Sequence, residues 1–366
     1  MHNSTITNKN SKEVLLGLEL LRFFSALVIL IWHYQHFASL PQVENFDSQN
    51  QPFYDSLSIF YTSGAKAVYL FWALSGYIFF YNYFQSVAEC KLKPFTFFRD
   101  RFSRLYPLHL GTLIIVSFLQ LSYFQKEQTF FIYEYNDPYH FLLNILFASY
   151  WGFEKGYSYN GPIWSVSVEI LVYFIFFYTT FKLSNRDNII MTSTALVIFY
   201  IFNLDELFLC FFFFYLGGIL CKIIETRKKH HIFTLIIAFL LLKLLETNKL
   251  GVTTINFGYQ NLFGDGLICL LLLLSFLKLG PVLKPIGSFV SAMGNLTYSM
   301  YLCHFPIQLI IVLLFVKLEK IIPYERPWLL LCFITITVIV SYCVYEFFEK
   351  PAKYYLRRKM RPIWKK

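Results

Sequence analysis

Residues 14–37 read VLLGLELLRFFSALVILIWHYQHF. As a helix this stretch spans about 36 Å, enough to cross a bilayer core of roughly 30 Å. It predicts a transmembrane helix and so decides the fold class. Among its ionisable residues Arg22 and His33 stand out. Such a residue at depth costs roughly 2.5–3.5 kcal/mol on insertion scales, so it needs a partner or a task. The two lie about three turns and 20° apart, which puts them on one helix face about 16 Å apart along the axis. Glu19, one turn before Arg22, shares that face and offers a counter-charge. The structural explanation is a salt-bridged arginine and a histidine packed against another helix. The functional explanation is a polar track across the membrane that ends at a proton-transfer group.

The rest of the chain repeats the apolar pattern. Of 366 residues, 57% are hydrophobic, 21% aromatic and only 15% charged, which excludes a water-soluble domain. The fold class is all-α, a polytopic transmembrane helical bundle. Further apolar segments lie near 64–84, 105–124, 138–150, 163–181, 189–203, 206–224, 231–246, 259–277, 288–316 and 327–348. The stretch 138–150 is too short to span and predicts a re-entrant or interfacial segment on the outer side. Ten crossings remain. Basic residues orient them: 23 Lys or Arg fall in one set of loops and termini, and six in the alternate set. Both termini are therefore expected in the cytoplasm. The expected organisation is a cytoplasmic N-terminus (1–13), a membrane domain (14–349) and a basic tail (350–366). That tail has eight basic residues and no acidic one, which suits anionic lipid rather than nucleic acid, despite a net charge of +10. The first segment lacks a small-residue cleavage site and is expected to be retained. The seven cysteines fall in apolar segments or basic loops, and neither a disulfide nor a metal site is expected.

Five motifs, in order along nearly the whole chain, resemble acyltransferase family 3. They are Arg22-x10-His33; FWALSGYIFF (71–80); FFRDRFSRLYPLH (97–109), with Arg101, Arg104 and Pro107; WSVSVEI (164–170); and LTYSMYLCHFPI (296–307), followed by Glu349-Lys350-Pro351. Two departures are Glu19, where the family usually has Asp, and Ile170, where many members carry a second acid. The resemblance implies transfer of an acyl group, most often acetyl, from acyl-CoA to a sugar hydroxyl of lipopolysaccharide, peptidoglycan, exopolysaccharide or a small glycoside. It implies a bacterial inner-membrane enzyme of the stand-alone type, with acyl-CoA as donor substrate and no permanently bound cofactor. The expected partners are acyl-CoA, a carbohydrate or glycolipid acceptor and membrane lipid.

The residues suit those roles. Arg99, Arg101 and Arg104 are expected in a cytoplasmic loop, where guanidinium forks would bind the phosphates of coenzyme A. Ordinary positive-inside anchoring would also put them there. Arg22 would hold the pantetheine arm, and His33 is the expected general base. Glu169 would orient His33 or bind the acceptor. Trp164, Ser165, Ser167, Tyr298 and His304 are further expected contacts to substrate, although Ser165 also suits a helix cap and Tyr298 suits helix packing. His36 is expected at the interface, and His109, His140, His230 and His231 at loops or boundaries. Gly217-Gly218 is expected to permit close helix packing. Asp265 is an intramembrane acid without an evident role. A transporter or flippase is the alternative class, but no inverted repeat or paired broken helices support it.

Overall fold

The computed structural model describes residues 2–40, 46–181, 185–226, 229–246 and 261–360. Every element among them is helical. In chain order these are α1 (His2–Tyr34), α2 (Tyr54–Ser63), α3 (Ala67–Phe79), α4 (Gln85–Ala88), α5 (Pro94–Glu127), α6 (Pro138–Ile145) and α7 (Ile163–Thr180). There follow α8 (Asn185–Ile201), α9 (Asp205–Glu225), α10 (Lys229–Glu246), α11 (Leu262–Leu279), α12 (Gly287–Lys317), α13 (Pro327–Val344) and α14 (Lys350–Lys359). Seven helical stretches among the described residues are long and apolar enough to cross a membrane: 15–38, 94–127, 163–180, 205–225, 262–279, 284–317 and 327–359. Shorter apolar helices occupy 189–201 and 230–244. The run from α3 through a π-helical turn, Phe80–Phe84, into α4 takes the remaining expected place. The chain is a polytopic helical bundle.

The helix of α1 starts at His2 and carries the expected first apolar span, 15–38. One expectation needs correction. The three arginines lie in helix, not in a loop: α5 starts at Pro94 and carries Arg99, Arg101 and Arg104 in its first three turns. Proline at the first helical position fits without a lost hydrogen bond, because that N–H has no partner in any helix. At 34 residues α5 is about 51 Å long, so its charged end can project beyond the bilayer core and still be helical. The crossing expected near 259–277 begins partly outside the described residues, and its described part is α11.

The chain divides into two compact units. The first is Met1–Ser25, Lys66–Lys91 and Ile175–Gly294; the second is Ala26–Ala65, Leu92–Phe174 and Asn295–Lys366. In the first, α3 and α9 approach to backbone contact. A Cβ added to Gly76 would lie 1.7 Å from the Phe214 carbonyl oxygen, and one on Gly217 would lie 1.9 Å from that of Ala73. Only hydrogen fits at either point, which is why glycine stands in FWALSGYIFF and in Gly217-Gly218. Around this crossing the phenylalanines interlock: Phe79, Phe176 and Phe214 are 5.4 to 5.8 Å apart, mostly edge to face. Asp265 also finds its explanation here, since Lys66 Nζ lies 2.9 Å from its carboxylate. Glu19 accepts a hydrogen bond from Ser291 Oγ at 2.6 Å.

In the second unit α6 is an eight-residue helix, too short to span. Asp137 caps it, accepting from His140 N at 2.9 Å, and Pro138 follows at the first turn. After it the chain dips beside α5. His109 Nε2 donates to the Asn144 carbonyl at 2.8 Å, and the ring of Phe147 stacks on His109 at 4.4 Å. His109 lies about 27 Å from the Glu127 end of α5, so the segment after α6 packs well within the length of that helix, as a re-entrant segment would. Irregular backbone at that depth needs partners from protein. Ser167 supplies them: its Oγ donates to the Phe147 carbonyl and accepts from Tyr150 N, while its own carbonyl accepts from Trp151 Nε1. His109 is thus fully buried mid-helix rather than at a boundary.

Candidate functional site

The second unit holds a buried histidine cluster. His33 lies in the last turn of α1, and its ring centroid is 4.6 Å from that of His304 in the middle of α12. His33 Nδ1 is 3.3 Å from His36 Nε2. His36 Nδ1 is 3.2 Å from Gln308 Oε1, and Gln308 Nε2 donates to the His33 carbonyl at 2.9 Å. His33 and His304 are 6% and 0% exposed, while His36 is half-buried at the edge of the cluster. His304 Nδ1 lies 3.3 Å from the Met300 carbonyl, which only accepts, so Nδ1 carries the hydrogen. Its Nε2 is buried with no hydrogen-bond partner among the described residues. A buried lone pair of that kind is costly and is an open acceptor for a hydroxyl.

Polar groups from α7, α12 and the loops at 128–137 and 146–162 surround the cluster. Ser165 Oγ pairs with Tyr301 Oη at 2.7 Å, and the Tyr301 ring is 6.0 Å from His304. Ser165 Oγ also donates to the Pro162 carbonyl at 3.3 Å, so it accepts from Tyr301, and it lies within α7 rather than at its cap. Asn160 donates to the Leu302 carbonyl and leaves its buried Oδ1 without a partner. Tyr133 is 6.1 Å from His36. Its hydroxyl is pushed above the usual tyrosine range by burial and then by the phenol of Tyr301. The ring needs Gly161 beside it: a Cβ there would fall 2.2 Å from Tyr133. Further out, Trp164, Tyr150 and Tyr157 form an aromatic group with centroids 5.0 to 6.1 Å apart.

A second set of groups lies one turn further along α7. Glu169 Oε1 accepts from Tyr173 Oη at 2.7 Å. Tyr298 Oη donates to the Leu105 carbonyl at 2.7 Å and sits in the field of Glu349, Arg104, Tyr173 and Glu169. Ser299 Oγ donates to Glu349 at 2.6 Å, which gives the acid of Glu349-Lys350-Pro351 a buried partner. Tyr173 also lines a cavity of about 400 Å³ with Arg101, Phe98, Tyr106, Phe147 and Trp151. Arg99 is paired with Asp100 at 2.9 Å, and Arg357 of α14 approaches the same carboxylate at 3.3 Å.

The expected site residues therefore fall into two groups. His33, His304 and Ser165 share the histidine cluster. Arg101, Arg104, Glu169 and Tyr298 share the inner group around the cavity and α5. Glu169 is set with Tyr173, while the rings that lie against His33 are those of His304 and His36. Ser167 holds the re-entrant segment, and Trp164 joins the outer aromatics. Arg22 is half-buried on α1, three turns before His33, in the first unit. His36, expected at the interface, belongs to the cluster; its place one turn after His33 was the signal. Gln308 stands one turn after His304 in the same way. Tyr133 and Asn160 come from loops and carry no spacing signal. His140 is buried and satisfied, with Nδ1 on Asp137 at 2.8 Å and Nε2 accepting from Lys155 N. Among the described residues no three His, Cys, Asp or Glu side chains are grouped to hold a metal.

No curated protein and no solved structure matches the chain. The family model for an acyltransferase domain, that of acyltransferase family 3, matches residues 15–346, nearly its whole length. A polytopic helical chain with histidines buried at one end of α1 and arginines at the start of α5, matched over this length, belongs to acyltransferase family 3 and is an acyltransferase.

Proposed function

We propose that the protein moves an acyl group, acetyl in the first instance, from cytoplasmic acyl-CoA to a hydroxyl of a cell-surface carbohydrate, in a bacterial inner membrane with both termini inside. The observation that carries this is the open Nε2 of His304 beside His33, a pair of imidazoles with hydroxyl and amide groups around them. The acceptor oxygen forms a bond to the thioester carbon as its proton passes to His33. The carbon–sulfur bond then breaks with its electron pair on sulfur. The leaving thiolate takes the proton back from His33, and the base is neutral again. His304, Tyr301 and Ser165 hold the acceptor hydroxyl. The outer aromatics, Trp164, Tyr150 and Tyr157, offer flat apolar faces to a sugar ring, with polar edges at the water side.

On the donor side, the cavity beside Arg101 has mostly apolar walls and one guanidinium. That suits a long, weakly polar arm with phosphates at its end. Arg104 adds a second cation on the same helix, and Arg99 is held by Asp100.

Membranes carrying the protein, given radiolabelled acetyl-CoA, should place alkali-labile label on surface glycan. Membranes lacking it should not. Label that appears on no carbohydrate would overturn the acceptor class, and no consumption of acetyl-CoA or longer acyl-CoA would overturn the donor.

A further inference from the structure

The hydrogen-bonded run from Gln308 through His36 to His33 fixes where the protons lie. Gln308 Nε2 is 2.9 Å from the His33 carbonyl oxygen. A carbonyl oxygen only accepts, so the amide nitrogen must face it; the flipped amide would set oxygen against oxygen. Gln308 Oε1 then faces His36 Nδ1 at 3.2 Å, and Nδ1 must carry the hydrogen. In a neutral imidazole the other nitrogen is then the acceptor. That nitrogen, His36 Nε2, lies 3.3 Å from His33 Nδ1. His33 therefore donates from Nδ1, and its Nε2 keeps a lone pair. The loop closes on one residue: the backbone of His33 sets the amide that, through His36, sets the His33 ring.

We infer that His36 and Gln308 are positioning residues, which lock His33 in its Nδ1–H tautomer and leave Nε2 as the nitrogen that takes the acceptor's proton. This rests on His33 being the base. When the hydroxyl proton binds Nε2, its electron pair stays on the attacking oxygen. The new positive charge strengthens the bond from His33 Nδ1–H to His36, and in turn that from His36 Nδ1–H to Gln308. The proton leaves again from Nε2 to the thiolate, so the run is restored. Other titratable groups facing the pair are His304 beside His33, Tyr133 beside His36, and Tyr301 beyond His304. An amide ends the run, so it orients the base without adding a second buried charge.

The test is nitrogen-15 solid-state NMR of the full chain, labelled at histidine, in lipid bilayers. The shifts separate protonated from bare ring nitrogens, and loss of signals in His33→Gln and His36→Gln assigns them. Both rings should show protonated Nδ1 and bare Nε2 at neutral pH. Gln308→Leu should release the lock, so that both tautomers appear, and should lower turnover of acetyl-CoA in glycan-containing membranes by about 10-fold or more with an unchanged KM for acetyl-CoA. A wild-type His33 protonated at Nε2, or a Gln308→Leu spectrum identical to wild type, would overturn the inference. The wild-type spectrum decides even where a variant fails to fold. Activity of His33→Ala is read separately: an active variant sinks the base assignment, whereas an inactive variant together with the wrong tautomer in the wild type sinks only the lock.

Discussion

At the scale of single residues, the difference between His33 and His140 shows what makes a histidine chemical rather than structural. Both are buried. His140 spends both ring nitrogens on fixed partners, Asp137 and the Lys155 N–H. His33 spends one, and its neighbour His304 has a nitrogen with none. A general base contributes about 10²–10⁴-fold in rate. His33→Ala should therefore insert normally, still bind acetyl-CoA and lose transfer by at least about 100-fold. His304→Ala, which removes an acceptor contact, should lose about 10-fold. Equal, small losses in both would deny His33 the role. His140 has a different consequence. Burial pushes the Asp137 carboxyl up, but the His140 N–H, its ring and the Tyr139 N–H outweigh this and hold it below the usual carboxylate value. A depressed value contributes stability above the unfolded carboxyl range, and that is lost as pH falls through the folded value. The melting temperature of Asp137→Asn should thus lie below wild type near neutral pH, and the gap should close as acid takes the solution below the ordinary carboxylate range. A gap that persists there would assign the effect to packing instead. His33 was legible from sequence because an ionisable residue in an apolar segment is conspicuous. His36 and Gln308 were not, because one stands where a membrane interface would begin and the other is an ordinary polar residue until its partners are known.

At the scale of elements, charge misleads about structure. Five basic residues between Lys91 and Arg104 read as a loop. Three of them, Arg99, Arg101 and Arg104, lie in the start of a helix because Pro94 opens it and a 34-residue helix outruns the bilayer. The consequence is that Arg101 is held rigidly, one turn from Leu105 and Phe98 in the cavity wall. Arg101→Ala should raise the apparent KM for acetyl-CoA about 10-fold or more and leave that for the acceptor alone, as expected for a lost charge-assisted contact. An unchanged donor KM in correctly inserted protein would remove Arg101 from the donor site. The close crossing of α3 and α9 was legible through Gly217-Gly218, and Gly76 proves to be its counterpart. Gly76→Ala sets a methyl carbon within 1.7 Å of a backbone oxygen, which no side-chain rotamer relieves. It should destabilise the protein by about 3 kcal/mol or more. The readout is recovery of monodisperse protein after mild heating in detergent, and full recovery would mean the helices can part without cost. The dip after α6 was only half legible. Its length excluded a crossing, but its depth depends on Asn144 and Ser167, whose hydrogen bonds are long-range and leave no periodic trace.

At the scale of the whole molecule, transfer across a membrane requires that donor and acceptor groups be reached from opposite faces, and α5 provides the measure. Lys93 precedes its first turn, and the segment holding Lys155 follows its far end through α6. A helix of 34 residues exceeds the bilayer core, so its two ends emerge on opposite sides. From the distribution of Lys and Arg the Lys93 end is expected inside. Both lysines are exposed and both belong to the second compact unit, so the comparison needs no assumption about how the units are arranged. With the exposed native thiols Cys90, Cys332 and Cys343 replaced by serine, Lys155→Cys should react with a membrane-impermeant maleimide in whole spheroplasts. Lys93→Cys should react only after permeabilisation. Labelling of both from the same side would mean that α5 does not cross, and the arginines and the outer aromatics would then face one compartment. Labelling with the sides exchanged would keep the crossing but invert the molecule, and the donor would have to arrive from outside, where coenzyme A is not made. Only the predicted pattern lets cytoplasmic acyl-CoA reach Arg101 while a surface glycan reaches Trp164.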